Sequence, residues 1–339
     1  MKKSIFLLLF CAGVNQYIFC QTAKELQETA RSFMQQGDYT NAILVLNRAV
    51  QMEPQNLDIT KDLSLSYYMQ RDNAKALDII KPLLDREDAD DQCFQIAANI
   101  YKQLQQPKES DKVYRRGLKK FPASGPLYND LGELLWEQKD YNAIKQWEKG
   151  IEVDPAFSRN YYNASKYYFF TTDKIWSILY GETFINMEPF SNRTPEIKSL
   201  LLESYKKLFA STEMVLPPAA AKNKFLEAYV KTMSKQNTVA TTGINTETLT
   251  MIRTRFILDW YQDYADKFPF KLFELHRQLL QEGMFDAYNQ WVFESVQNLP
   301  AYQNWTVLHA SEYNDFTRFQ KSRMYKIPAG QYYNSIETK

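Results

Sequence analysis

Short side chains recur along this sequence with a period that leaves few architectures open. Ala30, Ser64, Ala98, Gly132 and Ser165 are separated by 34, 34, 34 and 33 residues; Ala42, Ala76, Ser110, Ala143 and Ser177 by 34, 34, 33 and 34. Pro54, Asp88, Pro122, Pro155 and Pro189 keep the second spacing, and Phe33, Tyr67, Tyr101, Leu135 and Tyr168 form a fourth, aromatic-rich series. One single-residue deletion between Leu135 and Ala143 accounts for the slip in all four. A period of this length belongs to a stacked array, whose units bury their faces only against one another.

Within each unit the spacing predicts two antiparallel amphipathic helices. The small residue of the first (Ala30, Gly132) meets that of the second (Ala42, Ala143), because two axes approach closely only where both side chains are short. Phe33, Tyr67 and Trp147 are expected to fill the wider gaps beside that contact. Gly37-Asp38-Tyr39 and Lys139-Asp140-Tyr141 are expected to end one helix and start the next, Asp being suited to cap a helix N-terminus. Pro54, Pro122 and Pro155 close the second helix, since proline cannot donate the next helical hydrogen bond. Composition agrees: 10 Gly and 13 Pro in 339 residues are too few for the turns of a barrel or sandwich. The 23 Tyr, 21 Phe and 6 Trp supply large apolar units for a core. A net charge of +1 argues against a strongly basic nucleic-acid binder.

The fourth unit reads Tyr128-x-x-Leu131-Gly132-x-x-Leu135, then Ala143-x-x-x-Trp147-x-x-Gly150, ending at Pro155; the first reads Leu26-x-x-Thr29-Ala30-x-x-Phe33, then Ala42-x-x-x-Leu46-x-x-Ala49, ending at Pro54. These motifs resemble the tetratricopeptide repeat (TPR) over about residues 23–190. Asp88 departs from the pattern, as do Gly181 and Phe184 in a degenerate fifth unit. The resemblance implies an all-α fold, a right-handed α-solenoid of about five helix pairs (near 23–56, 57–90, 91–124, 125–157 and 158–191) followed by an aromatic-rich helical region. It also implies a concave face, lined by first helices, that holds a protein or peptide. By position that face comprises Gln27, Arg31, Lys61, Tyr68, Gln95, Asn99, Asn129, Glu133, Trp136, Tyr162, Lys166 and Phe169. Some members clamp a partner's C-terminal carboxylate with Lys and Asn; here Gln27 and Arg31 stand at those positions, so the clamp is not carried over.

Lys2 and Lys3 precede the apolar run Ile5–Val14, the pattern of a secretory signal over residues 1–20 with cleavage near Cys20–Gln21. A lipid-modified cysteine and a retained anchor are the alternatives, although Phe10 and Phe19 are bulky before Cys11 and Cys20. Export to the periplasm or envelope of a bacterium, or secretion, is therefore expected, with no membrane span in the mature chain and an envelope complex as a natural setting. Loss of residues 1–20 leaves 39 basic against 40 acidic residues and Cys93 alone, read as a small residue on a helix rather than a reactive thiol.

After Pro189 the register fails. Thr194-Pro195-Glu196 reads as a helix start with a capping hydroxyl, and residues 191–234 as helices covering the last repeat, the second from about Ala220 to Met233 beyond a Leu216-Pro217-Pro218 loop. Ser234–Asn245 looks least ordered. Residues 246–320 form a helical domain with aromatics at helical spacing, read mostly as core: Ile252, Phe256, Trp260 and Tyr264; Phe270–Gly283; Phe285, Tyr288, Trp291 and Phe293; and a fourth helix with Trp305, Leu308 and Tyr313. Residues 321–339 are an irregular tail.

No catalytic motif, phosphate loop or metal-ligand spacing occurs, and no cofactor is implied. His276 and His309 read as buried or interfacial imidazoles, Asp259 and Asp263 as a solvated pair, and Arg318, Lys321, Arg323 and Lys326 as a solvated basic run rather than a nucleic-acid site. The leading expectation is a non-catalytic adaptor. The alternatives are an enzyme using His276 with a nearby carboxylate, and a glycan-binding module that stacks sugars on exposed aromatics.

Overall fold

The computed structural model describes residues 21–210 and 222–334. The expected signal and the Leu216-Pro217-Pro218 loop lie outside these. The chain divides into two compact units, Met1–Ala89 and Asp90–Lys339. All regular structure among the described residues is helical.

The first unit holds two helix pairs: α1 (Ala23–Gln35) with α2 (Tyr39–Met52), and α3 (Leu57–Met69) with α4 (Asn73–Ile80). Their starts are written in the sequence. Thr22 and Glu25 form a reciprocal cap on α1, while Asp38, Asn56 and Asp72 each accept a backbone N–H in the first turn of the following helix. Ala30, Ala42, Ser64 and Ala76 are fully enclosed, as the close-crossing argument requires. Serine adds a bond there: Ser64 Oγ donates to the Ala76 carbonyl at 2.8 Å across the crossing. Leu26, Leu46, Ile59 and Leu63 form the core, with Phe33 and Tyr67 packed against it. Helix α4 stops at Ile80 and tightens into a 3-10 turn, Lys81–Asp85, because Pro82 has no N–H to continue it. Asp88, in place of the closing proline, is paired with Arg86.

The second unit opens with three pairs: α5 (Asp91–Gln103) and α6 (Pro107–Lys120), α7 (Gly125–Glu137) and α8 (Ala143–Val153), α9 (Ser158–Phe169) and α10 (Lys174–Met187). The crossing bond recurs at the same twelve-residue offset, from Ser110 Oγ to the Ala98 carbonyl (2.9 Å) and reciprocally between Ser165 and Ser177 (2.8 and 3.0 Å). Gly132 lies against the indole of Trp147, and a methyl group there would stand 2.3 Å from its Nε1. The single-residue deletion falls in the turn before α8. That helix starts only at Ala143, so Asp140 does not cap it as expected but accepts from the Asn142 backbone and side chain.

A further periodic feature joins the turns. Gly37, Arg71, Gln105 and Lys139, each 34 residues after the last, all have positive φ (76°, 68°, 58° and 61°). The left-handed residue that ends the first helix of the first four pairs is thus repeated in backbone while the side chain changes, and only the first turn uses the residue best suited to it.

The fifth pair departs from the motif for a structural reason. Every residue of α10 from Ile175 to Asn186 is buried, so it is an interior helix, enclosed on all sides rather than amphipathic. Helix α11 (Thr194–Leu208) covers it as expected, with Ser204 Oγ 3.0 Å from Ser177 Oγ. The Thr194 hydroxyl does not cap α11; it donates backwards to the Glu188 carbonyl. Beyond the undescribed loop come α12 (Lys224–Ser234), α13 (Asn237–Ala240), α14 (Thr246–Asp263) and α15 (Lys271–Gln281). The segment expected to be least ordered therefore carries a short helix, and its end, Asn245, caps α14. Helix α16 (Phe285–Asn289) widens into a π turn, Gln290–Glu294, and runs on as α17 (Ser295–Gln297). The expected fourth helix is two, α18 (Leu299–Leu308) and α19 (Ala310–Ser322). Helix α18 buries no residue and Leu308 is 72% exposed, so Trp305 and Leu308 are not core.

Ile252, Phe256, Trp260, Phe273, Tyr288 and Phe293 are core as the spacing predicted. Phe225 is their hub: its ring stacks on Tyr333 at 4.6 Å and on Trp176 at 5.9 Å, and meets Trp260 edge-on at 5.5 Å. The tail is irregular but anchored. Tyr325 and Ile327 are buried, Asn223 donates to the Tyr333 carbonyl at 2.6 Å, and Asn334 donates to Glu148.

Candidate functional site

In the first unit the predicted face residues are tied together by Asp62. Gln27 Nε2 and Arg31 Nε both donate to its Oδ2 at 2.7 Å. Lys61 is buried to 5% exposure and pairs with Asp58 at 3.0 Å. Tyr68 is half-buried on α3.

In the second unit the first helices α5, α7 and α9 are linked by side-chain amides and carboxylates. Gln95 Nε2 donates to Asp130 Oδ2 at 2.8 Å, and Asn129 Nδ2 to Asp130 Oδ1 at 3.0 Å and Glu133 Oε1 at 3.1 Å. Asn163 Nδ2 donates to Asn129 Oδ1 at 2.9 Å and to Glu133 Oε1 at 3.1 Å. Asn129 itself is fully enclosed. Burial raises the Asp130 carboxyl above its ordinary value, against its hydrogen bonds from Asn129 and Gln95. Asn99 Oδ1 accepts from the Tyr114 hydroxyl at 2.9 Å. Further along, Tyr162 OH donates to Glu196 at 2.6 Å, Lys166 pairs with the same carboxylate at 2.7 Å, and Lys207 lies 3.9 Å from the Phe169 ring centre.

These bonds connect positions 34 or 35 residues apart on neighbouring repeats: 27 with 62, 95 with 130, 129 with 163, 162 with 196. Asp62, Asp130 and Asn163 were not singled out from the sequence and Glu196 only as part of a helix start, although a 34-residue step from Asn129 and Tyr162 reaches Asn163 and Glu196. Trp136 both packs and is exposed. Its ring lies 5.7 Å from Tyr167 and 6.2 Å from Trp147 while 38% of the residue remains open to solvent.

The histidine–carboxylate pair that an enzyme reading requires does form, but inside the core. His276 Nε2 lies 2.8 Å from Glu182 Oε1, with side chains 5% and 1% exposed. Tyr288 OH also donates to Glu182 at 2.8 Å, and Arg253 donates to Glu182 and Asn289. Burial alone would raise the Glu182 carboxyl; the charges of Arg253 and His276, with the hydrogen bonds, outweigh it and hold the group at about 2. Burial lowers the His276 imidazole below its ordinary value. The arrangement neutralises a buried charge. His309 is not buried: it stacks on Trp305 at 4.7 Å. Asp259 and Asp263 share Lys235, at 3.6 and 3.3 Å. Arg323 is not a solvated base, since it donates to Asn186 at 2.7 Å beside the Phe319 and Tyr325 rings. Cys93 is fully enclosed in α5.

With two helix pairs in the first unit, three in the second, enclosed small residues at the crossings and lateral bonds one period apart, the architecture is that of a helical-repeat protein. Residues 33–100 match the family model of the tetratricopeptide repeat, so the chain carries TPR repeats. Among solved structures, a thermophilic TPR protein of Thermus thermophilus aligns at 13% identity over 53% of this chain and 100% of its own, TM-score 0.46. A TPR protein of Parabacteroides merdae aligns at 17% identity over 76% and 98%, TM-score 0.41. YrrB, described as a TPR protein with an unusual peptide-binding site, aligns at 16% identity over 54% and 92%, TM-score 0.37. No curated protein matches in sequence. No helix among the described residues is long and apolar enough to cross a membrane.

Proposed function

We propose that this chain is a non-catalytic adaptor of the bacterial cell envelope that binds an extended peptide segment of a partner protein on the first-helix face of α5, α7 and α9. The observation that carries the reading is the run of amides and carboxylates at Gln95, Glu133 and Asn163, held in place by the enclosed Asn129, beside the half-exposed indole of Trp136. Side-chain amides offer both a donor and an acceptor, the pair an extended backbone presents, and a pre-positioned indole is a common anchor at protein interfaces. Lys166 and Glu196 at the α9 end add charge of both signs, which suits a mixed rather than a uniformly charged segment. The envelope setting rests on Lys2, Lys3 and the apolar run Ile5–Val14.

Selection from a displayed library of peptides about twelve residues long against the purified protein tests this. Peptides recovered should lose about tenfold or more in affinity with Trp136→Ala and with Asn163→Ala, at unchanged helicity. Selected peptides that bind both variants as well as the parent would move the site elsewhere. Export is checked separately, by N-terminal sequencing of the protein recovered from the envelope fraction. A chain still beginning at Met1 in the cytoplasm would rule it out.

A further inference from the structure

A second site lies in the C-terminal half, away from the face just described. It is a cavity of about 360 Å³ between the start of α14, the π turn and α18, in the size range of small-molecule pockets. The π turn shapes it. An extra residue in one helical turn re-aims the side chains around it, and such turns concentrate at functional sites. Trp291, Val292 and Phe293 of that turn are buried in the core, while Gln290 and Glu294 line the cavity.

Glu294 is held in place by Thr246, whose hydroxyl donates to its Oε2 at 2.6 Å. Gln290 Oε1 is enclosed and has no hydrogen-bond partner, a costly state for a buried acceptor. Asn245 commits its Oδ1 to the Thr248 backbone N–H at 3.0 Å, which leaves its Nδ2 as the donor it retains. Gln297 adds a second glutamine amide, and Trp305 an indole whose other neighbour, His309, stacks parallel to it at 4.7 Å and 9°. That stack steadies the ring.

The mixture of groups selects the ligand class. An anion needs donors and positive charge, but the lining holds Glu247 and Glu294 and no lysine, arginine or histidine. A cation needs acceptors alone, and would leave the three amide N–H2 groups of Asn245, Gln290 and Gln297 without a role. A sugar hydroxyl is both donor and acceptor, so it can use the amides and the carboxylate together, while the C–H face of a pyranose ring lies flat on an indole. We propose that this cavity binds one or two units of a neutral carbohydrate, with Trp305 as the stacking platform and Gln290, Glu294, Gln297 and Asn245 reading the hydroxyls.

Saturation-transfer NMR on the full mature chain tests it, with glucose, galactose, mannose, N-acetylglucosamine, N-acetylgalactosamine, maltose, cellobiose and N,N′-diacetylchitobiose as probes at about 10 mM. Transfer to at least one of these sugars is expected. Trp305→Ala and Gln290→Ala should each weaken it by about tenfold or more, and Trp136→Ala should leave it unchanged. Because α18 buries no residue, Trp305→Ala leaves the core intact, and a matching circular dichroism spectrum confirms that the loss is local. Transfer to none of the sugars overturns the proposal, as does binding that survives Trp305→Ala. Binding of tetramethylammonium in place of every sugar also overturns it and makes the cavity a cation site.

Discussion

Gly132 shows how little freedom a single position in this array has. A Cβ there would come within 2.3 Å of the Trp147 ring, and neither helix can retreat without opening its neighbours. Gly132→Ala should therefore destabilise the protein by about 1–3 kcal/mol in urea unfolding. At the other extreme is the group around Glu182. Removing one partner of a buried pair strands the other, so Glu182→Gln should cost about 3–5 kcal/mol by the same measurement, more than Glu133→Gln on the solvent-facing side of α7. Both sites were half legible in the chain. The 34-residue series marked Gly132 as a contact with Trp147 beside it, but that the indole lies directly on Gly132 needed coordinates. His276 stood out as one of two histidines, whereas Glu182, 94 residues earlier, carried no local signal.

Between residue and element lies the anchoring of the tail by Glu148. Burial pushes this carboxyl up to about 7, against the hydrogen bond from Tyr168. A group whose folded value lies above its unfolded one favours folding while protonated. Its contribution is present below about pH 4.5 and is lost as pH rises through about 7. Asp173, pushed up by burial to about 6, acts in the same direction. The urea midpoint should therefore fall between pH 5 and pH 8, and Glu148→Gln should flatten that decline. Equal slopes in both proteins would show that Glu148 is not responsible. The tail itself acts as an element. Tyr333→Ala removes the ring stacked on Phe225 and should cost about 1–2 kcal/mol, read as a lower melting temperature, whereas Met324→Ala, at a 78% exposed position, should have no effect.

For the molecule as a whole, the unit from Asp90 onward contains its own core, from the α5–α6 crossing to the aromatic cluster around Phe225. Residues 90–339 expressed alone should retain a single cooperative thermal transition, measured by circular dichroism; a non-cooperative melt would show that this unit does not stand by itself. Periodicity alone determined the helix pairs, their order, the small crossing residues and the line of side chains one repeat apart, because in an array each unit meets its neighbour through the same positions and the spacing is copied into the sequence. What only the tertiary structure decided lies where that copying stops. The burial of α10, the enclosed Glu182 network, the anchoring of the tail and the cavity beside the π turn all join residues many tens of positions apart in the chain. Such contacts follow from which faces meet in space, and nothing in the local spacing of side chains encodes them.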